Sequence, residues 1–223
     1  MGSGTDADAR ILRPHGLSVD AERVWRRMGY KDKGGVPDVL ATSFDEAFRA
    51  GHELLDPAIR WAVCPLQGAP ESDGSVSVGG VTFSSKELAI RCRGAEELVL
   101  FIATIGPRLE DRVHARISAE PLPAVVLDYF GSEAVVGLTH HMRKELEAYA
   151  RPKGYRVGWR FCPGYGDWDT REQHKLFSLL DGDPIGVELA PSGMMHPRKS
   201  YAGVIPLGSE VEEIMHYARH SEH

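Results

Sequence analysis

Apolar residues recur at more than one period along this 223-residue chain, and each change of period predicts a change of element. Val39, Leu40, Phe44, Ala47, Phe48 and Leu55 lie at the spacing of one helix face, predicting an amphipathic helix from Pro37 to Leu55 that ends before Pro57. A shorter helix is expected from Val19 to Met28, capped by Ser18 or Asp20 and closed near Gly29, with a loop over Lys31 to Gly35. Ile59 to Leu66 and Ser75 to Phe83 read as strands separated by the turn-rich Gly68 to Gly74, and Ser84 or Ser85 can cap a short helix through Arg91. Glu97 to Ile105 is a continuous apolar run, the mark of a strand buried on both faces. Gly106-Pro107 ends it and opens another helix.

Pro121 to Ala150 carries a long helical pattern, apolar on more than one face as far as Gly137 and polar beyond, so its first half is the expected central buried helix. Gly154 to Phe161 reads as a strand, and Asp169 with Glu172 opens a helix bearing Leu176, Phe177 and Leu180. Strands are expected at Ile185 to Leu189 and Tyr201 to Leu207, joined by Pro191 to Lys199, with a polar helix from Glu210 to His220. There is no strict βαβ alternation and no internal repeat. The expected class is α+β, a mainly antiparallel sheet packed with helices. Residues 1–15, beginning with an expression scar or loose tail at Met1-Gly2-Ser3-Gly4, are expected to be a flexible tail. Residues 16–223 are expected to form one domain, a helical part over 16–58 and a sheet-and-helix body over 59–223.

Composition narrows the function. A 42% hydrophobic and 26% charged chain is an ordinary globular one. Its net charge of -6 argues against nucleic acid or an anionic membrane as the main partner, since both reward a basic surface. The basic patches Arg26-Arg27 and His196-Pro197-Arg198-Lys199 read as solvated surface. No apolar run looks long enough to span a bilayer and no signal-peptide pattern opens the chain, so a cytoplasmic location is expected. Cys64, Cys92 and Cys162 form neither a disulfide framework nor a metal pair and read as small buried hydrophobes, Cys162 alone being a candidate thiol. Adjacent His140-His141 lack the i, i+4 spacing a metal would want, and no metal site is expected.

The candidate chemistry sits in Arg160-Phe161-Cys162-Pro163-Gly164-Tyr165-Gly166-Asp167-Trp168, where a guanidinium, a phenol, an indole and a carboxylate surround a Pro-Gly turn at a strand end. Such a set suits a small zwitterionic or cationic ligand, because Arg forks onto a carboxylate and aromatic faces attract a cation. A tight turn with a buried Tyr and Trp accounts for the same residues. Trp168 can stack on a ligand or close the apolar end of the helix starting at Asp169. Asp128 reads as a paired core or helix-start residue, Glu188 as solvent-facing, and Met194-Met195 as core packing ahead of a cofactor face.

Arg160-x-x-Pro163-Gly164-Tyr165, Gln173-x-x-x-Phe177-x-x-Leu180, and Ile185-Gly186-Val187-x-Leu189-x-x-Ser192-x-Met194-Met195-x-Pro197-x-x-Ser200 together resemble the activation domain of cobalamin-dependent methionine synthase. The resemblance covers roughly Ala95 to Leu207. Ala103-Thr104-Ile105-Gly106 and Leu127-Asp128-x-x-Gly131-Ser132 resemble its free-standing relatives. It implies a domain that binds S-adenosylmethionine and docks on a corrinoid held by a partner methyltransferase of the methionine synthase type. There it would support reductive methylation of the inactive cobalamin, with an electron from flavodoxin or another donor. No folate, homocysteine or corrinoid-binding module is expected in a chain of this length. By resemblance, Arg160 would hold the methionyl carboxylate, Tyr165 would line the pocket, and Phe161 to Gly164, including Cys162, would offer backbone groups. Met194 to Ser200 would form the wall nearest the corrinoid. No catalytic residue is assigned, because the chemistry belongs to the cofactors.

The pattern departs from the family at three points, one being that the N-terminal acidic contact of the full-length domain has no recognisable counterpart. Val136 stands where an acidic residue faces the ligand's amino group, with Glu133 one turn earlier, and Ile205 stands for a tyrosine. Asp167 or Glu133 would have to supply the missing carboxylate. Otherwise the chain reads as a docking module for a corrinoid protein that does not bind S-adenosylmethionine. A third reading, an unrelated enzyme that reuses the fold, would need a nucleophile or acid–base pair that the sequence does not show.

Overall fold

A computed structural model describes residues 8–31 and 33–212. Five strands form the main sheet: β1 (Arg10–Leu12), β2 (Ala58–Pro65), β5 (Glu97–Thr104), β9 (Ser200–Gly208) and β6 (Arg156–Val157), in that spatial order and with every pair antiparallel. Two hairpins stand apart, β3 (Ser75–Val78) with β4 (Val81–Ser84) and β7 (Glu188–Leu189) with β8 (Met195–His196). The helices are α1 (Ala21–Arg27), α2 (Asp38–Leu54), α3 (Lys86–Arg91), α4 (Arg108–Arg116), α5 (Pro121–Ala150) and α6 (Gln173–Leu179). The α+β class and the antiparallel sheet are as the pattern predicts.

The period-2 alternation of β5 divides the core. Val99, Phe101 and Ala103 point to one side, where they meet α1, α2 and α5; Leu98, Leu100 and Ile102 point to the other, against the β3–β4 hairpin, α3 and α6. Both sets are almost wholly buried, which is why the run reads as unbroken apolar sequence. Each such side chain contributes about 1.5–3 kcal/mol on burial. On the helical side, Trp25 stacks on Phe44 at 3.9 Å and Phe44 on Phe48 at 4.6 Å, carrying the packing from α1 to α2.

Several expectations are corrected. Residues 10–12, placed in a loose tail, form edge strand β1, with Arg10 over the Trp61 ring at 5.2 Å. Ser75 to Phe83 is a hairpin, not one strand, because Gly79 and Gly80 both take positive φ and make the two-residue turn that right-twisted strands favour. The second half of α5 keeps a buried stripe, Leu138, Met142, Leu146 and Ala150 at four-residue steps, where a polar half was expected. Pro121–Lys153 is also long and apolar enough by length and composition to cross a membrane, against expectation, and half of its most apolar window is packed inside the fold. Ile185 closes a 3-10 turn (Asp183–Ile185) in place of starting a strand. From residue 213 on, the expected C-terminal helix lies outside the described residues, as does Met1 to Gly4.

Residues 154–161 depart most usefully. Val157 pairs with Leu207 and Phe161 bridges Val204, so this segment has one residue more than the stretch of β9 it faces. The extra residue is accommodated as a bulge over Gly158 to Arg160, a device that re-aims side chains. Gly158 permits it, since a Cβ there would lie 2.6 Å from Pro206 Cγ.

The contact between α2 and α5 yields a stability prediction. A Cβ on Gly51 would lie 2.6 Å from Phe130, whose ring is boxed in by Phe48 and His52 and has nowhere to retreat. Gly51→Ala gains about 1 kcal/mol of helix propensity but overpacks the contact at about 1–3 kcal/mol. Net destabilisation of about 1 kcal/mol is expected in urea unfolding; a stabilised variant would show that the two helices slide apart freely.

Candidate functional site

The bulge delivers Trp159 and Arg160 to a cleft of about 770 Å³ between α1, α5 and the 160–168 loop. Arg23, Arg26 and Arg27 line it from α1, Glu133, Val136 and His140 from α5, Arg91 from α3, and Trp159, Arg160, Phe161, Cys162 and Tyr165 from the bulge and loop. Four of the six residues singled out from sequence, Arg160, Cys162, Tyr165 and Glu133, thus meet in one cleft. Gly164 and Asp167 do not line it.

Arg160 is half-buried. Its Nη1 donates to Thr139 Oγ1 at 2.7 Å, and its guanidinium carbon lies 5.6 Å from the Tyr201 ring centroid. Those contacts leave further N–H donors on a guanidinium that makes no ion pair among the described residues. Tyr165 is the exposed aromatic of the loop, at 52%. Trp168 is buried, stacked on Phe161 at 5.6 Å and edge-on to Phe83 at 5.5 Å, so of its two possible roles it takes the structural one.

The loop is held by Asp167, whose carboxylate is committed to the start of α3. Ser85 Oγ donates to it at 2.5 Å, Lys86 N at 2.8 Å and Glu87 N at 3.2 Å. These bonds, that from Ser85 foremost, hold the Asp167 carboxyl below its ordinary range. As a ligand carboxylate Asp167 is therefore corrected: it caps a helix. Gly164 takes φ of +93° and donates its N–H to Trp168 O at 2.7 Å, a turn that serves the loop's own shape.

Glu133, with only 6% of its side chain exposed, is paired at 2.9 Å with Arg27 and 3.4 Å with Arg23. A carboxylate this buried requires such partners, and here they come from the helix across the cleft. Arg26-Arg27, read from sequence as a solvated patch, is thus half a structural ion pair and half cleft lining. His140 is pushed below its ordinary range, first by burial and then by Arg23 and Arg160, and is neutral at pH 7. Burial pushes the Cys162 thiol up to about 12, against a small opposing pull from Arg160. Cys162 packs under β9, where a Cβ on Gly203 would lie 2.6 Å from its sulfur. A reactive thiol is excluded by that environment. Among the described residues there is no group of three His, Cys, Asp or Glu able to hold a metal.

Elsewhere, Asp128 pairs with Lys199 at 2.8 Å, Glu188 is exposed, Met194 is 51% exposed and Met195 is half-buried against the core. The Met194 to Ser200 segment does not line the cleft.

Two outcomes follow. Cys64, Cys92 and Cys162, all buried, should resist iodoacetamide at pH 8 until the protein is unfolded, and rapid labelling of Cys162 would contradict its placement. Asp167→Asn should lower the melting temperature at neutral pH. Because the folded carboxyl titrates below its unfolded value, its contribution is complete above the usual carboxylate range and lost as pH falls through the depressed value. The gap between wild type and variant should therefore narrow as the pH is lowered beyond the usual carboxylate range; a gap independent of pH would count against the clasp.

No family model matches the chain, and no curated protein matches it in sequence. Among solved structures, the crystal structure of the MetH reactivation domain bound to AdoHcy matches with a TM-score of 0.66, over 92% of this chain and 79% of that one, at 12% sequence identity. At that identity the likeness is one of fold, and the fold of this chain is that of the MetH reactivation domain.

Proposed function

We propose that the chain is a reactivation module for a cobalamin-dependent methyltransferase of the methionine synthase type, binding an adenosyl ligand such as S-adenosylmethionine in the cleft between α1, α5 and the 160–168 loop. One observation carries the reading. In a fold shared with a domain seen holding AdoHcy, Arg160, Cys162, Tyr165 and Glu133 converge on a single cleft.

The residues fit most of such a ligand. Arg160 has donors to spare for the amino-acid carboxylate. Tyr165, exposed at the cleft, and half-buried Trp159 offer aromatic faces for the adenosyl group. The ammonium end meets Glu133, which it would share with Arg23 and Arg27. When bound, S-adenosylmethionine supplies a methyl group; the chain's own residues bind, orient and exclude water. The corrinoid would be held by the partner, and the electron would come from a flavodoxin-type or other donor.

The pairing of Glu133 favours a second reading, a module that docks on a corrinoid protein without binding S-adenosylmethionine. Calorimetric titration separates the two. Under the first reading S-adenosylmethionine binds saturably, and Arg160→Ala weakens it by at least about tenfold, the loss of a charge-assisted contact. Under the second no heat is seen alone or with a corrinoid protein present, while the corrinoid protein itself still binds.

A further inference from the structure

The cleft's charge is not what a cationic ligand would select. Five guanidinium groups line it, Arg23, Arg26, Arg27, Arg91 and Arg160, against one carboxylate, Glu133. The lining residues carry four positive charges in excess, two of them offset from just outside the cleft by Asp20 on Arg23 and Glu22 on Arg26, in a chain whose net charge is -6. Arg23 and Arg27 are engaged with Glu133, and Arg26 with exposed Glu22 at 3.6 Å. Among the described residues Arg91 and Arg160 make no ion pair, and Glu210 and Glu212 stand with Arg91 in the adjoining hollow.

Those two are also the best held. Arg91, in the last turn of α3, lies 4.6 Å from the ring centroid of Phe161; Arg160 is the residue just before Phe161 and rests 5.6 Å from the ring centroid of Tyr201. A guanidinium seated on an aromatic face loses little freedom on binding, so its N–H fork is prepared for an oxyanion. We infer that Arg91 and Arg160 form a two-guanidinium clamp for a carboxylate or phosphate, and that the cleft chooses among ligands by net charge. Resting on the cleft being the ligand site proposed above, this narrows the ligand class. Adenosyl compounds of zero or negative net charge bind ahead of the sulfonium cation S-adenosylmethionine, with Arg91 as an anchor that the loop motif does not contain.

Titrations with S-adenosylhomocysteine, S-adenosylmethionine, adenosine 5′-monophosphate and adenosine, at low and high salt, test it. The nucleotide should bind at least about tenfold tighter than adenosine, and the thioether tighter than the sulfonium, since each pair differs in charge on a common scaffold. Raising salt from roughly 0.05 to 0.5 M should narrow both gaps. Arg91→Gln should weaken the nucleotide and the thioether by about tenfold, with Arg91→Lys restoring part of the loss. Arg156→Gln, on an exposed arginine that lines neither the cleft nor the hollow beside Arg91, should change nothing and serves as the folded control. Sulfonium binding equal to or tighter than the thioether, or nucleotide binding indifferent to Arg91→Gln, overturns the inference. S-adenosylmethionine bound through Arg160 alone would remove the clamp and keep the reactivation reading. The nucleotide bound through Arg91 with neither adenosyl amino acid bound would do the reverse. No binding by any of the four removes both.

Discussion

The cleft depends on a carboxylate that caps a helix eighty residues earlier in the chain. Helix α3 is six residues long, too short to persist without help, because the first turn fixes several residues for a single hydrogen bond. Asp167 supplies that help from outside, taking the N–H groups of Lys86 and Glu87 and the Ser85 hydroxyl, while Ser85 Oγ accepts from Leu88 N at 3.0 Å. One interaction therefore orders the start of α3 and the end of the 160–168 loop together. It brings Arg91, at the far end of that helix, onto Phe161, beside Arg160. Cleft-lining side chains from distant parts of the sequence converge because one acid, facing away from the cleft, holds them.

The opposite wall is fixed by an equally specific requirement. Glu133 lies on a helix buried along its length, and a carboxylate there has a large desolvation cost unless matched. Its partners are on α1, a helix of two turns held also by its Asp20 cap and by Trp25 against Phe44. The ion pair sets α1 across the cleft and introduces three arginines as it does so. Positive charge in the cleft is thus partly a consequence of how the N-terminal helix is anchored.

The parts of the fold legible in the sequence are those ruled by burial period. The bounds of α5 and the two-sided burial of β5 follow directly from apolar spacing, and Asp20 and Ser85 were among the caps anticipated. What escaped detection depends on local φ or on distant partners. Gly79-Gly80 is a hairpin turn lying inside an otherwise strand-like run, a signal present but read as part of the strand. The bulge at Gly158 to Arg160 exists only relative to β9, so it cannot be seen in its own residues. Arg160, Tyr165 and Glu133 could be named from the motif and the helix phase. Asp167 could be named too, but not its direction, since no spacing rule links residue 167 to residue 85. Arg91 carries no local signal and becomes functional lining only when α3 is clasped.

This division explains how a fold persists at 12% identity. Burial constrains a core position to be apolar and of suitable volume, and many sequences satisfy that. A cleft's charge has no such tolerance, because one carboxylate removed or one guanidinium added alters the field felt by every atom within it. A reading from the 160–168 loop alone, with Asp167 counted as an acid facing the ligand, gives a site suited to a zwitterion or cation. With Asp167 turned to α3, Glu133 neutralised by α1, and Arg91 added, the same loop belongs to a cleft lined mainly by guanidinium groups. Fold similarity can locate the cleft; which molecule enters it is decided by where those three side chains direct their charge.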